Sequence, residues 1–265
     1  MPEISDQSYL RNQQYKTVGN LQARIQIHRR FSANQENWFE WEYDRLGLAA
    51  GQRLLDLGCG PGEIWKTNRA RLPEDLQVYL CDLSLGMSQT AALAMGPDMR
   101  FCGLAGDAQT LPFPAGSMDV VMANHMLYHV PDIRRALGDI RRVLRVGGLL
   151  AAATNGISHL AELYDFIRQE APGFRTENDS AQRFGLENGA GQMQEYFASV
   201  QIHLYEDHLW VTEVDPLLDY IGSMWWMDQW TENLRDRFLK RISAEIQQNG
   251  GVRIQKSSGL ILARA

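Results

Sequence analysis

The 265-residue chain has few cysteines, no excess of basic residues and no long hydrophobic run. Its three cysteines, Cys59, Cys81 and Cys102, lack C-x-x-C spacing, which argues against a zinc site or a disulfide framework. Isolated cysteines of this kind are typical of small buried residues in a reduced protein. We therefore expect a cytoplasmic location.

Acidic residues outnumber basic ones by 32 to 26, which gives a net charge of −6. Proteins that act on DNA or structured RNA normally present a basic surface, and the basic clusters here are short pairs such as Arg29-Arg30. No apolar stretch approaches the roughly 18 residues that cross a bilayer, and the polar start of the chain does not resemble a signal peptide. We expect a small-molecule substrate, no nucleic acid and no transmembrane segment.

Residues 54–62 read L-L-D-L-G-C-G-P-G, an apolar run with Asp56 near its end and glycine at every second position after it. The apolar residues predict a buried parallel strand, and the glycines let the backbone turn sharply and approach a ligand. Residues 63–71 have helical composition. Strand, turn and helix together predict a nucleotide-type binding loop at the carboxyl end of a sheet strand.

The spacing of the glycines separates two kinds of cofactor. A dinucleotide fingerprint needs its third glycine where this chain has Glu63, and the G-K-S/T of a phosphate-binding loop is absent. The D-x-G-x-G-x-G pattern instead resembles motif I of the class I S-adenosylmethionine (SAM)-dependent methyltransferases. An acidic residue suits SAM, which carries a sulfonium and an ammonium group. The resemblance implies a SAM site that includes Asp56, Gly58, Cys59, Gly60 and Gly62.

A second strand-like run, residues 77–82, ends at Asp82, about one strand–helix–strand unit after motif I. A carboxylate at this point can accept hydrogen bonds from both ribose hydroxyls of the cofactor. The alternative is that Asp82 caps the following helix, although Ser84 is the better capping candidate. Leu83 and Met87 would provide an apolar wall against the adenine.

A third strand, residues 99–105, leads into G-D-A-x-x-L-P-F at residues 106–113. In the resembling family this run contacts adenine, which implies roles for Gly106, Asp107 and Ala108. The Asp107 carboxylate would accept from the exocyclic amine, and the Ala108 amide would donate to the ring. A solvated turn aspartate is the alternative for Asp107.

The fourth predicted strand, residues 118–124, ends in Asn124, which would face the same crevice. His125 and His129 follow as candidate catalytic residues. His129 matches a position where the family often has histidine, so either catalysis or a structural hydrogen bond is expected of it. His125 departs from the family pattern and is the better candidate for a base or a substrate-orienting group. The sequence has no third ligand at usable spacing, so we predict no metal.

These motifs occur in order over residues 54–153 and most resemble the small-molecule branch that includes the ubiquinone/menaquinone methyltransferases. The resemblance implies an α/β fold, a Rossmann-like seven-stranded mixed sheet flanked by helices. We expect an N-terminal helical lid, a SAM-binding core, and a remainder of the same domain with substrate-side insertions near 171–191 and 214–249. The first insertion is polar and has no helical period, so it is expected to be a loop near the site or a partly mobile segment, whereas the second is helical and aromatic. The three segments are 1–47, 48–156 and 157–265.

The two ends of the chain are expected to select the substrate. Helices are predicted over 20–31 and 35–46, the aromatic residues of the second being expected to pack on the sheet. The helical region near 224–230 reads M-W-W-M-D-Q-W, which could form a wall for a flat acceptor or could simply pack. The candidate substrate-binding residues are Tyr9, Tyr15, Arg24, His125, Trp225, Trp226 and Trp230.

The sequence thus predicts a SAM-dependent methyltransferase with a small, apolar or aromatic acceptor, and secondary metabolism is an expected setting for such a reaction. Nitrogen, oxygen and carbon all remain open as the methylated atom, and a base helps only if that atom starts protonated. A SAM-binding protein without catalysis is the alternative. An NAD-dependent oxidoreductase is disfavoured by Glu63. The oligomeric state is not predicted.

Overall fold

The computed structural model describes residues 4–10, 19–171, 179–224 and 230–265. These residues form one seven-stranded sheet with helices on both faces, as predicted. The strands are β1 (Arg53–Leu57), β2 (Gln77–Asp82), β3 (Phe101–Ala105), β4 (Met118–Asn124), β5 (Leu144–Asn155), β6 (Ser199–Val211) and β7 (Val252–Arg264). The helices are α1 (Gln7–Tyr9), α2 (Gly19–Phe31), α3 (Trp38–Leu46), α4 (Glu63–Thr67), α5 (Leu85–Ala94), α6 (Ile133–Val143), α7 (Ala161–Glu170), α8 (Asp179–Phe184), α9 (Gly189–Gln194), α10 (Asp215–Gly222) and α11 (Glu232–Asn249).

The strand order is β3-β2-β1-β4-β5-β7-β6. β1 to β5 pair in parallel, and β7 runs antiparallel to both β5 and β6. The order reverses between β1 and β4, which pair directly, with Leu57 opposite Ala123. Open α/β sheets bind ligands outside the carboxyl ends of the strands at such a reversal. The topology therefore places the ends of β1, β2 and β4 around one crevice.

The sheet is covered by apolar residues on both faces. Leu55, on one face, packs with the apolar stripe of α6, and Leu54, on the other, packs with Trp65 of α4. Both leucines are fully buried, as expected for a central parallel strand. A third cluster joins α2 to α7, α10, α11 and the antiparallel strands. The crevice therefore extends past the parallel strands to the elements that form this third cluster.

Two helices have boundaries set by their neighbours in the fold. The region predicted to be helical over 63–71 forms an α-helix that ends at Thr67 and is followed by a separate 3-10 turn, Arg69–Arg71. The break occurs because the buried Asn68 side chain donates to the carbonyl oxygens of Phe39 and Ile64, both at 2.9 Å. The helix that starts at Ile133 ends at Val143, since β5 begins at the next residue.

The C-terminal half has more helix than the pattern indicated. The stretch 171–191, predicted to lack regular structure, contains α8 and the start of α9 among its described residues. Phe184 and Met193 anchor these short helices in the first core cluster, so tertiary packing compensates for the weak local pattern. The helical region predicted from Val214 resolves into α10 and α11, between which residues 225–229 lie outside the described part. In the described ranges, no helix has the length and apolarity needed to cross a membrane.

Candidate functional site

A cavity of about 670 Å³ opens at the carboxyl ends of β1, β2 and β4 and extends to α2, β7 and α10. It therefore has two halves. One half, which we call the motif half, is formed by the loops that follow the parallel strands. The other, the histidine half, is lined by His28, His125, His159, Tyr164, Tyr220, Lys256 and Ser258.

The glycine loop after β1 has the backbone geometry that its sequence indicates. Gly58, Gly60 and Gly62 have φ values of 72°, 50° and 73°, a region that L-residues with a side chain rarely adopt. The Gly58 amide donates to the carbonyl oxygen of Cys81 at 2.7 Å, which fastens the turn to the end of β2. A Cβ atom at Gly58 would lie 2.8 Å from the Met126 side chain. The buried Cys59 lies in the same loop and lines the cavity.

Asp56 lies beneath this loop with half of its carboxylate unpaired. Its Oδ2 accepts from Trp65 Nε1 at 2.7 Å, whereas its buried Oδ1 has no hydrogen-bond partner in the described ranges. The pKa of Asp56 is raised to about 7, mainly by burial and also by the nearby Asp82 carboxylate, although the hydrogen bond from Trp65 lowers it. Because buried polar atoms normally have partners, this oxygen fits a ligand donor such as an ammonium group.

Asp82 connects the first two motifs. Its Oδ2 accepts from the Gly60 amide at 3.1 Å and its Oδ1 from the Ser84 amide at 2.9 Å. Ser84 is the N-cap residue of α5, so the capping position falls where the sequence placed it. Burial raises the pKa of Asp82. The carboxylate lines the cavity together with Leu83 and Met87, and it can accept from hydroxyl groups of a ligand.

Asp107 is held by amide donors from two parts of the chain. Its carboxylate accepts from the Gln109 amide at 2.9 Å and from Gln7 Nε2, in the N-terminal segment, at 3.0 Å. Burial raises the pKa of Asp107, but these hydrogen bonds and the Gln109 side chain more than offset it, so the pKa falls below its usual value. Gln7 therefore donates to the carboxylate that was predicted to accept from adenine. Gly106 and Ala108 also line the cavity.

The end of β4 turns abruptly into the cavity. His125 has a φ of 50°, and its amide donates to the carbonyl oxygen of Ala153 at 2.9 Å. A non-glycine residue in this region costs of order 1–3 kcal/mol and is common at functional sites. Burial, followed by the positive charge of Lys256, lowers the pKa of His125 to about 4. The imidazole that lines the cavity is therefore neutral at neutral pH.

His129 connects the same loop to the N-terminal segment. Its Nδ1 lies 2.9 Å from the carbonyl oxygen of Ile4, which accepts the hydrogen bond. Burial lowers the pKa of His129 to about 4, so the ring is neutral. This contact corresponds to the structural alternative considered for His129. The side chain also lines the cavity.

Glu42 is a buried acid that sequence analysis missed. It lies on α3, is fully buried, and neither of its oxygens has a hydrogen-bond partner in the residues described. Burial raises its pKa to about 8, with the nearby Asp56 carboxylate also acting in that direction and the side chains of Asn124 and Trp38 acting against it. The Oδ1 atom of Asn124, which lines the cavity, is likewise buried and unpartnered in the described ranges. The helical spacing from Trp38 to Glu42 was the only signal in the sequence.

The residues predicted to bind substrate have separate outcomes. Tyr9 and Arg24 line the cavity, and Arg24 Nη2 donates to the Ser223 carbonyl oxygen at 2.5 Å. Trp230 instead packs edge-to-face on Phe238 at 5.5 Å in the third core cluster. Tyr15, Trp225 and Trp226 lie outside the described residues.

The first tryptophan of α3 was expected to pack on the sheet but also faces the cavity. Trp38 stacks on the buried Trp41 at 5.1 Å, and its ring lies 5.7 Å from that of His125. Tyr205 meets Trp38 edge-to-face at 5.1 Å. These rings form an aromatic wall next to the β4 turn.

The histidine half contains most of the residues that the sequence did not reveal. His28, His159 and Lys256 had no motif around them in the sequence. They meet because α2 packs on α10 and because β7 inserts beside β5. The described residues contain no group of three or more His, Cys, Asp or Glu side chains placed to hold a metal ion.

Comparison with known proteins agrees with this geometry. Residues 55–152 match a family described as a methyltransferase domain. The chain is 32% identical over 212 residues to the 27-O-demethylrifamycin SV methyltransferase of Amycolatopsis mediterranei, which spans 75% of this chain and 69% of that protein. It is 38% identical over 117 residues to a demethylmenaquinone methyltransferase of Beutenbergia cavernae, covering 44% of this chain and less than half, 46%, of that relative.

A solved structure has the same fold. The phosphoethanolamine N-methyltransferase 2 of Haemonchus contortus, in complex with SAM, superposes with a TM-score of 0.60 at 19% identity. The match covers 100% of this chain and 60% of that one. At this identity the likeness concerns the fold.

Proposed function

The chain belongs to the class I SAM-dependent methyltransferases, and from this premise we propose that it methylates a small acceptor bound in the histidine half of the cavity. SAM is the cofactor. The observation that carries the proposal is that one cavity contains both the motif loops and a second set of polar and aromatic side chains. A methyl donor in the first half would thus face an acceptor in the second.

The motif half fits the chemical groups of SAM. We propose that Asp82 accepts from the ribose hydroxyls, that Asp107 accepts from the adenine amine, and that the unpartnered Oδ1 of Asp56 receives a donor from the methionine end. The glycine loop would allow the backbone to approach the cofactor closely. When bound, SAM supplies an activated methyl group on a sulfonium, so the protein mainly needs to align the acceptor and exclude water.

The N-terminal segment is proposed to act as the lid. Residues 4–10 reach the motif half through Gln7, which donates to Asp107, and through Ile4, which accepts from His129. Adenine would compete with Gln7 for the same carboxylate. Cofactor binding is therefore expected to rearrange this contact while the segment stays over the site.

His125 is proposed to orient the acceptor. Its neutral imidazole lines the cavity where the two halves meet, beside the ring of Trp38. A neutral ring nitrogen can accept a hydrogen bond from an acceptor hydroxyl or amine and take up its proton as the methyl group is transferred. Aromatic walls favour an aromatic acceptor, and the similarity to an enzyme of rifamycin methylation supports a role in natural-product biosynthesis.

The test is an acceptor screen that follows transfer of a tritiated methyl group from SAM to phenols, aromatic acids and aromatic amines. We expect at least one class to be labelled, with S-adenosylhomocysteine (SAH) released in equal amount. His125→Ala should lower turnover by about 10²–10⁴-fold if the residue acts as a base, with SAH affinity changed by less than about twofold. His208→Ala, on β6 and not in the cavity lining, is the control.

Two results would contradict the proposal. Binding of SAM without transfer to any acceptor class would favour a SAM-binding protein that lacks catalysis. Normal turnover in His125→Ala would show that His125 does not orient the acceptor, without contradicting the methyltransferase reaction itself.

A further inference from the structure

The histidine half gathers basic side chains from separate elements. His28 comes from α2, His159 from the turn before α7, and Lys256 from β7. The His28 and His159 rings lie 6.3 Å apart, and Tyr220 of α10 meets His28 edge-to-face at 6.1 Å. We call His28, His159 and Lys256 the basic cluster. The reaction proposed above gives these residues no role.

Lys256 presents its positive charge to the cavity, whereas its partner acid lies behind it. The Lys256 Nζ donates to Oδ2 of Asp207, whose side chain is fully buried. Asp207 also accepts from Ser32 Oγ and from the Asn34 amide, and it is not among the cavity-lining residues. An ammonium group has three N–H donors, and among the described residues Asp207 is the side chain to which Lys256 donates. The remaining donors are available to a ligand.

The two imidazoles of the basic cluster differ in their partners. His159 Nδ1 accepts from the Ser257 amide at 3.2 Å and lies 3.2 Å from Ser258 Oγ. The Nδ1 atom of His28, by contrast, is buried and has no hydrogen-bond partner in the described ranges. Burial, and after it the charge of Lys256, lowers the pKa values of His28 and His159, the latter to about 3. The lysine charge thus acts across the whole cluster. A cationic ligand group would be repelled here and an anionic one attracted.

The acidic side chains of the cavity belong to other elements. Asp56, Asp82 and Asp107 lie in the motif half, and Glu63 is paired with Arg29 and Lys66 at 2.7 and 2.8 Å. Glu36 lies on the exposed segment before α3. In the described residues, no cavity-lining acid comes from the elements that supply the basic cluster. The histidine half therefore presents the Lys256 ammonium, paired from behind by Asp207, and two neutral imidazoles, while the cavity-lining acids lie elsewhere.

We propose that the methyl acceptor carries an anionic oxygen group, a carboxylate or a phosphate, that is bound by His28, His159 and Lys256. This proposal rests on the proposed function, since it concerns the acceptor of that same reaction. Binding at the cluster would hold the far end of the acceptor while the atom to be methylated lies towards His125. The hydrogen bonds to Lys256 would be charge-assisted, and the His28 ring would gain the partner that it lacks.

The test is isothermal titration of the SAH-saturated protein with benzoate, phenyl phosphate and the neutral benzamide. At least one anionic probe should bind about tenfold tighter than benzamide, because hydrogen bonds to charged groups exceed neutral ones by roughly that factor. Comparison of benzoate with phenyl phosphate shows whether the cluster prefers a carboxylate or a phosphate group. Equal binding of all probes, or no binding of either anion at millimolar concentration, would overturn the proposal.

Matched variants locate the effect. Lys256→Met combined with Asp207→Asn removes the ion pair as a unit, so that no buried carboxylate is left alone, and should abolish the preference for the anion. His28→Gln should weaken it. Lys240→Met, at an exposed position of α11, makes the same lysine-to-methionine change outside the cavity and should preserve it. Preference retained in the double variant would overturn the proposal.

The same titration separates this inference from the proposed function. SAH binding is measured first and should stay within about twofold in every variant, because none of the substituted residues belongs to the motif loops. If SAH binds and the anion preference is absent, only the acceptor assignment fails. If the unmodified protein does not bind SAH, the proposed function fails as well.

Discussion

At the scale of single residues, the site depends on carboxyl groups in three different environments. Asp82 is held by two backbone amides, Asp56 by one indole donor, and Glu42 by none that meets hydrogen-bond geometry in the described ranges. Burial raises the pKa of each, to about 8 for Glu42 and about 7 for Asp56. The proposed ribose ligand is thus the best organised of the three, and Glu42 is the one that favours its neutral form.

Asp82→Asn should weaken SAH binding by about 1–3 kcal/mol, since the ribose hydroxyls would lose an ionic acceptor. Isothermal titration measures this directly. Asp236→Asn, at an exposed position of α11, makes the same chemical change away from the cavity and should leave the affinity unchanged. Unchanged affinity in Asp82→Asn would remove this carboxylate from the cofactor site.

Glu42→Gln should make the stability less dependent on pH. The folded-state pKa of Glu42, about 8, lies above its ordinary value of 4.5, so the folded protein keeps a proton that the unfolded chain releases. The stabilisation from the neutral acid is fully present below about pH 4.5 and is lost as the pH rises towards 8.

Chemical denaturation at a series of pH values measures this difference. The free energy of unfolding of Glu42→Gln minus that of the unmodified protein should increase from pH 4.5 to 8 and then level off. Comparison of the two proteins isolates Glu42, because Asp56 is present in both. A difference independent of pH would show that Glu42 is ionised in the folded protein.

At the scale of elements, the turn between β1 and α4 was predictable because its constraints are local. Glycine at alternate positions after an apolar strand requires a sharp turn whatever the rest of the chain does, and all three glycines have positive φ. The ends of β2 and β4 followed from the same parallel pattern. Trp230 was placed on the cavity by composition alone, yet Phe238, about two turns into α11, provides it with an apolar partner.

Gly58→Ala should destabilise the protein and weaken SAH binding together. The new methyl group would meet Met126 at 2.8 Å, and the left-handed backbone would add about 1–2 kcal/mol of strain. Gly116→Ala is the matched control, because Gly116 has a φ of 66° but open space around its Cβ position. Thermal denaturation and SAH titration should show a larger loss at Gly58 than at Gly116. Equal losses would mean that the contact with Met126 is unimportant.

At the scale of the whole molecule, the cavity joins a half that the sequence predicts to a half that it does not. Each motif follows one of four successive parallel strands, so local pattern and spacing reveal them. His28, His159 and Lys256 are brought together by the packing of α2 on α10 and by the antiparallel insertion of β7, which no local pattern encodes. The fold class and the residues of the motif half were therefore accessible from sequence, and the histidine half required the structure.

The most direct measurement is a crystal structure of the protein with SAH. The account predicts that both ribose hydroxyls donate to Asp82, that the adenine amine replaces Gln7 as a donor to Asp107, and that the sulfur faces His125 and the histidine half. A complex in which SAH lies elsewhere, or in which its sulfur faces away from His125, would contradict the assignment of the two halves and the function proposed from it.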